Sequence, residues 1–278
     1  MNYSLHNHST YCDGKSSVAE MYESALKHNL EYFGLSGHAP IPSFSNEWSI
    51  KNEKAVGEYV AEIKNLASKN DNLKFFAGLE IDFVPNITKP FSFWKENYDL
   101  DYIIGAVHLV KKNNSIWFID GPSENYDKGL AEIFGNDIKD AVKSFYNQTC
   151  EMISTEQFDI LAHCDKVLMN NRHRFIKPTD IYHLDMLKDT LKLASEKDLI
   201  VEINTRGIYK NMYDDYYPGE YIFNFLKENN IRVMLSADAH LSDQITKEFK
   251  PLSLKLKSAG IKETWLPEQI SKNPIPIL

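Results

Sequence analysis

The sequence predicts an α/β fold: a distorted seven-stranded (βα)7 TIM-like barrel, with a metal site at the C-terminal ends of its strands. Three observations carry this expectation. A short apolar strand signal followed by a helical signal recurs seven times along the 278 residues. Six of the nine histidines fall where a strand signal ends. No Gly-x-Gly-x-x-Gly follows any strand, so the alternative, an open doubly wound sheet, lacks its commonest mark.

Length and composition set the frame. With 43% hydrophobic and 25% charged residues, the chain has ordinary globular content for a core. Its length and the absence of linkers or repeats fit one barrel domain over residues 1–278. Apolar runs such as Tyr102 to Val107 are too short to span a membrane, and no basic-then-apolar leader opens the chain. Cys12, Cys150 and Cys164 are scattered and odd in number, which points to a reducing cytoplasm rather than a disulfide frame. A net charge of −8 argues against a generic duplex-binding surface. The expected partner is therefore a small molecule, with no nucleic acid and no membrane; oligomeric state leaves no mark on the sequence.

The elements follow in order. Tyr3 to His6 reads as the tail of a first strand, followed by a helix over Ser17 to Asn29 capped by Ser16 or Ser17. Strand two covers Tyr32 to Gly37 and ends at His38. Ala39-Pro40-Ile41-Pro42 then forces an extended loop through Trp48, before a helix from Asn52 to Lys69. Strand three, Leu73 to Leu79, ends at Glu80; strand four, Asp101 to Val107, ends at His108. Ile116 to Ile119 adds a hairpin, and a helix spans Asp137 to Ser154. Strand five, Phe158 to Ala162, ends at His163, with a helix from Pro178 or Thr179 to Lys197. Strand six, Leu199 to Ile203, ends at Asn204, and Tyr216-Tyr217-Pro218 opens a helix to Asn229. Strand seven, Ile231 to Ser236, ends at Asp238 and His240. A last helix covers Asp243 to Ala259, and the tail is irregular.

The rim of strand ends carries the chemistry. His6 and His8 stand at i and i+2, which in extended backbone puts both imidazoles on one face. Asp13 follows in a turn closed by Gly14. His38, Glu80, His108, His163, Asp238 and His240 complete the set at other strand ends, where barrel active sites assemble. Six imidazoles and three carboxylates exceed what one zinc-like ion takes, so two or three divalent ions are expected, bridged by Glu80. The all nitrogen and oxygen set fits Zn, Mn or Fe. Cys164 follows His163 directly and is expected to pack; Cys12 lies in the first loop and is not counted as a ligand. His28, His173 and His183 read as ordinary surface or helix positions.

Several of these stretches have a familiar form: His6-x-His8 with Asp13, Ser36-Gly37-His38-Ala39-Pro40, Gly78-Leu79-Glu80-x-Asp82, Gly105-Ala106-Val107-His108, Leu161-Ala162-His163-Cys164-Asp165, Glu202-Ile203-Asn204-Thr205 and Asp238-Ala239-His240. Together they resemble the PHP (polymerase and histidinol phosphatase) family. The closer likeness is to its monofunctional histidinol-phosphate phosphatases, through the Ala39 to Pro42 loop with Asn46-Glu47-Trp48, the Ile119-Asp120-Gly121 piece and Glu202-Ile203-Asn204-Thr205. The resemblance implies a distorted seven-stranded barrel and a trinuclear centre. His6, His8, Glu80 and Asp238 would hold one ion; Asp13, His38 and His240 a second; Glu80, His108 and His163 a third. There are departures. Many relatives have His in place of Asp13, place Ser directly before the residue matching Asp238, and carry a small residue in place of Arg206.

Such a centre suits hydrolysis of a phosphate ester by a metal-bridging hydroxide. Arg206 leaves strand six at the same rim and is the first candidate for phosphate; Lys210, Arg172, Arg174 and Lys166 lie on neighbouring segments. Glu80, Asp238 and Arg206 form the expected catalytic group, with a metal-bound water or Asp238 as proton donor to the leaving alkoxide. Histidinol phosphate would leave as a cationic amine with an imidazole, for which Glu47, Trp48, Asp120 and Tyr213 to Tyr217 are candidates. Rival readings are another small phosphomonoester, an amidohydrolase-type hydrolase, a nuclease and a non-catalytic metal-binding module.

Overall fold

Apolar side chains crowd both faces of the strand segments, as a parallel sheet between an inner core and an outer helical layer requires. The structure, a computed structural model, describes residues 1–42, 47–69 and 72–277. Its first half runs β1 (Tyr3–Ser4), α1 (Val18–Lys27), β2 (Tyr32–His38), α2 (Glu53–Ala67), β3 (Lys74–Asp82), α3 (Phe91–Asn97), β4 (Tyr102–Ala106), β5 (Leu109–Lys112), β6 (Ser115–Phe118), α4 (Ser123–Phe134) and α5 (Ile138–Thr155). It continues with β7 (Ile160–Leu161), α6 (Ile181–Glu196), β8 (Ile200–Asn204), α7 (Arg206–Tyr209), α8 (Phe223–Glu228), β9 (Val233–Ser236), α9 (Phe249–Ser258), β10 (Glu263–Thr264) and β11 (Ile275–Pro276).

Seven of these strands form one parallel sheet in the order β1-β2-β3-β4-β7-β8-β9. The sheet closes on itself at the rim. Asn7 and Ala239, just beyond β1 and β9, form a parallel bridge, and His8 N–H donates to the Ala239 carbonyl at 2.8 Å. The expected seven-stranded, nearly closed barrel is therefore observed.

Alternation along the strands sorts the residues into two cores. Tyr102, Ile104, Ala106, Ile160, Ala162, Ile200 and Met234 pack together in the interior. Phe33, Leu35, Phe75, Ile103, Val201 and Ile203 belong to the outer cluster with the helices. The interior is narrow on the β2–β3 side. A Cβ on Gly34 or Gly78 would lie 2.4 Å from the Tyr102 side chain, so glycine at both positions admits that ring. The tail closes the opposite end: Leu266 and Ile270 join the interior cluster, and β10 pairs antiparallel with β11.

Several boundaries differ from the sequence reading, each for a local reason. Ser17 is the cap of α1, in a reciprocal pair with Glu20. The expected helix from Asp243 is interrupted. Glu248 sits at φ +62°, and α9 begins after it with Pro251 in its first turn, where a proline is tolerated. The helix expected from Tyr216 starts later, at Phe223, after Pro218, Gly219 and a short helical turn over Glu220–Ile222. The tail is not wholly irregular, since it holds β10 and β11. α3, α4 and α7 were not anticipated. α4 carries Tyr126, Leu130 and Phe134 at i+4 spacing on its buried side. His183 is buried rather than superficial, bonded to Tyr146 Oη at 2.8 Å and Pro178 O at 2.9 Å. Burial pushes its imidazole down to about 4. Asn46 of the first long loop lies outside the described residues.

Candidate metal centre

The alternation that fills the barrel also builds its mouth. On β3, Gly78 faces inward, so Glu80 and Asp82 follow on the same side; in register, His38 stands beside Glu80. On β4 the inward series Tyr102, Ile104, Ala106 leads to His108. On β8 Ile200 leads to Glu202 and Asn204, and on β9 Met234 leads to Ser236 and Asp238. Two donors need special backbone: His163 is at φ +20° and Asp238 at φ +49°. Left-handed conformations are costly for side-chain-bearing residues, least so for Asp, and concentrate at functional sites.

Glu80 is the hub, with 1% of its surface exposed. Its Oε2 lies 3.0 Å from His6 Nε2, 3.4 Å from His8 Nε2 and 3.3 Å from His38 Nδ1. Its Oε1 lies 3.0 Å from His163 Nε2 and 3.7 Å from His108 Nε2. One carboxylate thus faces two sets of imidazoles through different oxygens. Asp238 Oδ1 stands 3.2 Å from His8 Nε2, and Asp13 Oδ2 stands 3.0 Å from His240 Nε2. Burial opposes the charge on Glu80, but the adjacent His6 and His38 outweigh it and hold the carboxyl well below its usual range. Burial, with His240 and His38 nearby, pushes His8 down to about 3, which leaves it a neutral donor.

The donor set fits divalent cations. Among the described residues, four groups bring ligand atoms within 4.8 Å of one another: His8, Asp13, His38 and His240; His6, His8 and Asp238; His38, Asp82 and His108; and Glu80, His108 and His163. His8 Nε2, His38 Nδ1 and Asp13 Oδ1 are buried and have no hydrogen-bond partner. Unpaired polar atoms at such depth are expensive unless something occupies the space between them. Cation coordination would satisfy all three. Every donor named from the sequence, His6, His8, Asp13, His38, Glu80, His108, His163, Asp238 and His240, lies in this cluster.

A cavity of about 430 Å³ opens on the cluster, and its walls include Trp48, Phe118, Asp120, Lys166, Arg206 and Met212. Arg206 donates from Nη1 to Asp238 O at 2.7 Å and to His240 Nδ1 at 2.6 Å. Lys166 is 2% exposed, and its Nζ lies 3.1 Å from Asp120 Oδ2. Burial works against the Lys166 cation, but Asp120 and Asp238 together outweigh it and raise the ammonium pKa. Trp48 and Phe118 meet edge to face, 6.4 Å between ring centres.

Other sequence candidates lie elsewhere. Arg172 lines two depressions that share Met212 with the cavity, but not the cavity itself. Lys210 and Glu47 are exposed and line none of these three spaces. Arg174 pairs with Asp127 at 2.6 Å. Tyr213 and Tyr217 stack on each other, and the Tyr217 ring lies under the Lys166 ammonium at 5.5 Å. Cys164 is buried in the outer core as expected, whereas Cys12 Sγ approaches His8 Nδ1 to 3.5 Å. Two carboxylates that the sequence marks only as members of motifs, without a role, orient histidines of the cluster. Asp82 Oδ1 accepts from His108 Nδ1 at 2.8 Å, and Glu202 Oε1 accepts from His6 Nδ1 at 2.6 Å. Their signal was present: a carboxylate on the inward parity of a buried strand.

Fold and donor set together define a class, an α/β barrel whose mouth presents nitrogen and oxygen donors suited to divalent cations. The PHP domain profile matches residues 4–206, and the chain belongs to that family. A curated protein of Deinococcus radiodurans, named "Probable histidinol-phosphatase", is 24% identical over 258 residues, 92% of each chain. The crystal structure of HisK from Listeria monocytogenes matches with a TM-score of 0.79 at 17% identity, over 90% of this chain and 99% of that one. Histidinol phosphate phosphatase (HisK) from Lactococcus lactis, complexed with Zn, L-histidinol and phosphate, matches with a TM-score of 0.68 at 18% identity, over 95% and 96%. At these identities the two structures establish a shared fold.

Proposed function

We propose that the protein is a metal-dependent phosphomonoesterase that hydrolyses L-histidinol phosphate to L-histidinol and phosphate. The observation that carries this reading is Glu80, a buried carboxylate shared between two imidazole sets at the floor of a cavity that holds both cationic and anionic walls. The Zn, L-histidinol and phosphate in the Lactococcus structure support it. Two or three ions, Zn, Fe or Mn, would sit on His6, His8, Glu80 and Asp238, on Asp13, His38 and His240, and on Glu80, His108 and His163. Bound there, such ions supply an activated water and neutralise charge on the phosphoryl oxygens.

The chain's own residues do the rest. Lys166, buried, and Arg206, partly buried, bring two cations to the cavity and bind the phosphate. Asp238 lines the same space; against its burial, Arg206 and His6 hold its carboxyl ionised, so water reaching the cavity supplies the proton to the leaving alkoxide. Asp120 offers a carboxylate to the substrate ammonium, and Trp48 with Phe118 offers an aromatic wall to its imidazole. The protein acts as one barrel domain in the cytoplasm, on a small phosphorylated substrate. No helix among the described residues is long and apolar enough to cross a membrane.

A panel of phosphomonoesters tests the reading: histidinol phosphate against nucleotides, sugar phosphates, phosphotyrosine and p-nitrophenyl phosphate. Histidinol phosphate is expected to give the highest kcat/KM. Asp120→Asn is expected to raise its KM by about tenfold, as loss of a charged hydrogen bond does, and to raise that of p-nitrophenyl phosphate by clearly less, since that substrate loses only the partner that holds Lys166. A preferred substrate without an amine would displace histidinol phosphate from this role.

A further inference from the structure

Glu202 lies in the middle of β8 with 0% of its surface exposed, on the strand face that looks into the barrel. It belongs to none of the four donor groups. A carboxylate so placed is costly unless its lone pairs and charge are met. Both oxygens are engaged. Oε1 accepts from His6 Nδ1 at 2.6 Å, and Oε2 accepts from the backbone N–H of His163 at 2.9 Å. His6 follows β1 and His163 follows β7, so one side chain ties together two strand ends that do not pair with each other.

Each bond has a consequence. A carboxylate at Nδ1 keeps the proton there and turns Nε2 of His6 toward Glu80 Oε2, 3.0 Å away. At His163 the bond holds a backbone bend at φ +20°, which aims Nε2 at Glu80 Oε1, also 3.0 Å away. Asp82 makes the contrast. Its two bonds, 2.9 Å to His108 N and 2.8 Å to His108 Nδ1, serve one residue and use a single oxygen, Oδ1.

We propose that Glu202 is a positioning residue that sets donors on both sides of Glu80 at once, His6 through its ring and His163 through its backbone, and so couples the two halves of the metal centre. This rests on the metal centre proposed above.

The amide substitution separates the two carboxylates. One carbonyl oxygen can still serve both Asp82 contacts. Gln at position 202 must turn an NH2 toward either His6 Nδ1–H or His163 N–H. In the full chain, with Zn2+ as the probe and chelator competition as the measurement, Glu202→Gln is expected to weaken binding by at least about tenfold. Asp82→Asn, which keeps an oxygen on His108 and can still offer one to an ion beside His38 and His108, is expected to cost clearly less. Unchanged Zn2+ binding in Glu202→Gln, or equal losses in the two variants, would overturn the proposal.

A second measurement needs neither a variant at 202 nor an ion. In protein labelled with 15N-histidine, and assigned against His6→Gln, the His6 Nδ1 proton is expected to be strongly deshielded and protected from exchange. A His6 Nδ1 that carries no proton overturns the proposal, whatever the metal content. Failure of the unaltered protein to bind Zn2+ would instead count against the metal centre.

Discussion

Glu80→Gln is expected to lower kcat/KM for the phosphomonoester by at least about a thousandfold, or about 4 kcal/mol of transition-state stabilisation. The substitution keeps the shape and removes the charge. Glu80 faces His6, His8 and His38 through Oε2, and His163 and His108 through Oε1. An amide offers one weaker donor atom and sets an NH2 against the other imidazole set. Removing one member of a buried charged cluster also leaves its partners uncompensated, which is costly in itself. Circular dichroism and steady-state kinetics on the same sample check the result. A folded variant that keeps a tenth of the original activity would remove Glu80 from the centre of the reaction.

Lys166→Met is expected to lower kcat/KM by about 30- to 100-fold, the range for losing one charge-assisted hydrogen bond to a phosphate. Methionine keeps much of the buried apolar stem, so the loss reads out the ammonium. Lys166 is 2% exposed, lines the cavity and is held by Asp120 at 3.1 Å. In the proposed reaction, substrate phosphate would take over a cation that the fold has already placed and desolvated. Arg172→Ala and Lys210→Ala are expected to change kcat/KM by less than about twofold, because neither side chain lines that cavity and exposed charges contribute little. Kinetics with histidinol phosphate and with p-nitrophenyl phosphate check both statements. A larger loss in Arg172→Ala than in Lys166→Met would relocate the phosphate site to the neighbouring depression.

The donors were legible in the sequence because they share a register. Each of His38, Glu80 and His108 ends or follows an apolar run, and a parallel barrel brings all such ends to one mouth. Asp82 and Glu202 are hard to assign from sequence because they sit next to or inside strand signals, where a charge reads as an interruption rather than a role. Only the parity through Gly78 and Ile200 shows that both point inward. The phosphate cations were harder still. Arg172, Lys210 and Lys166 all follow strand ends, and sequence distance from the rim does not say which one turns in. The short helical turn Lys166–Leu168 buries Lys166, whereas the positive φ of Arg172 and His173 carries that stretch outward, where Arg172 and His173 are exposed. A helix start shifts where backbone chemistry overrides periodicity, at the left-handed Glu248 before Pro251.

Elemental analysis of the full chain, purified without chelator, tests the central claim most directly. Two or three divalent ions per chain are expected, with at least one lost in Glu80→Gln. One ion or none in the unaltered protein would contradict a centre in which Glu80 joins two sets of imidazoles.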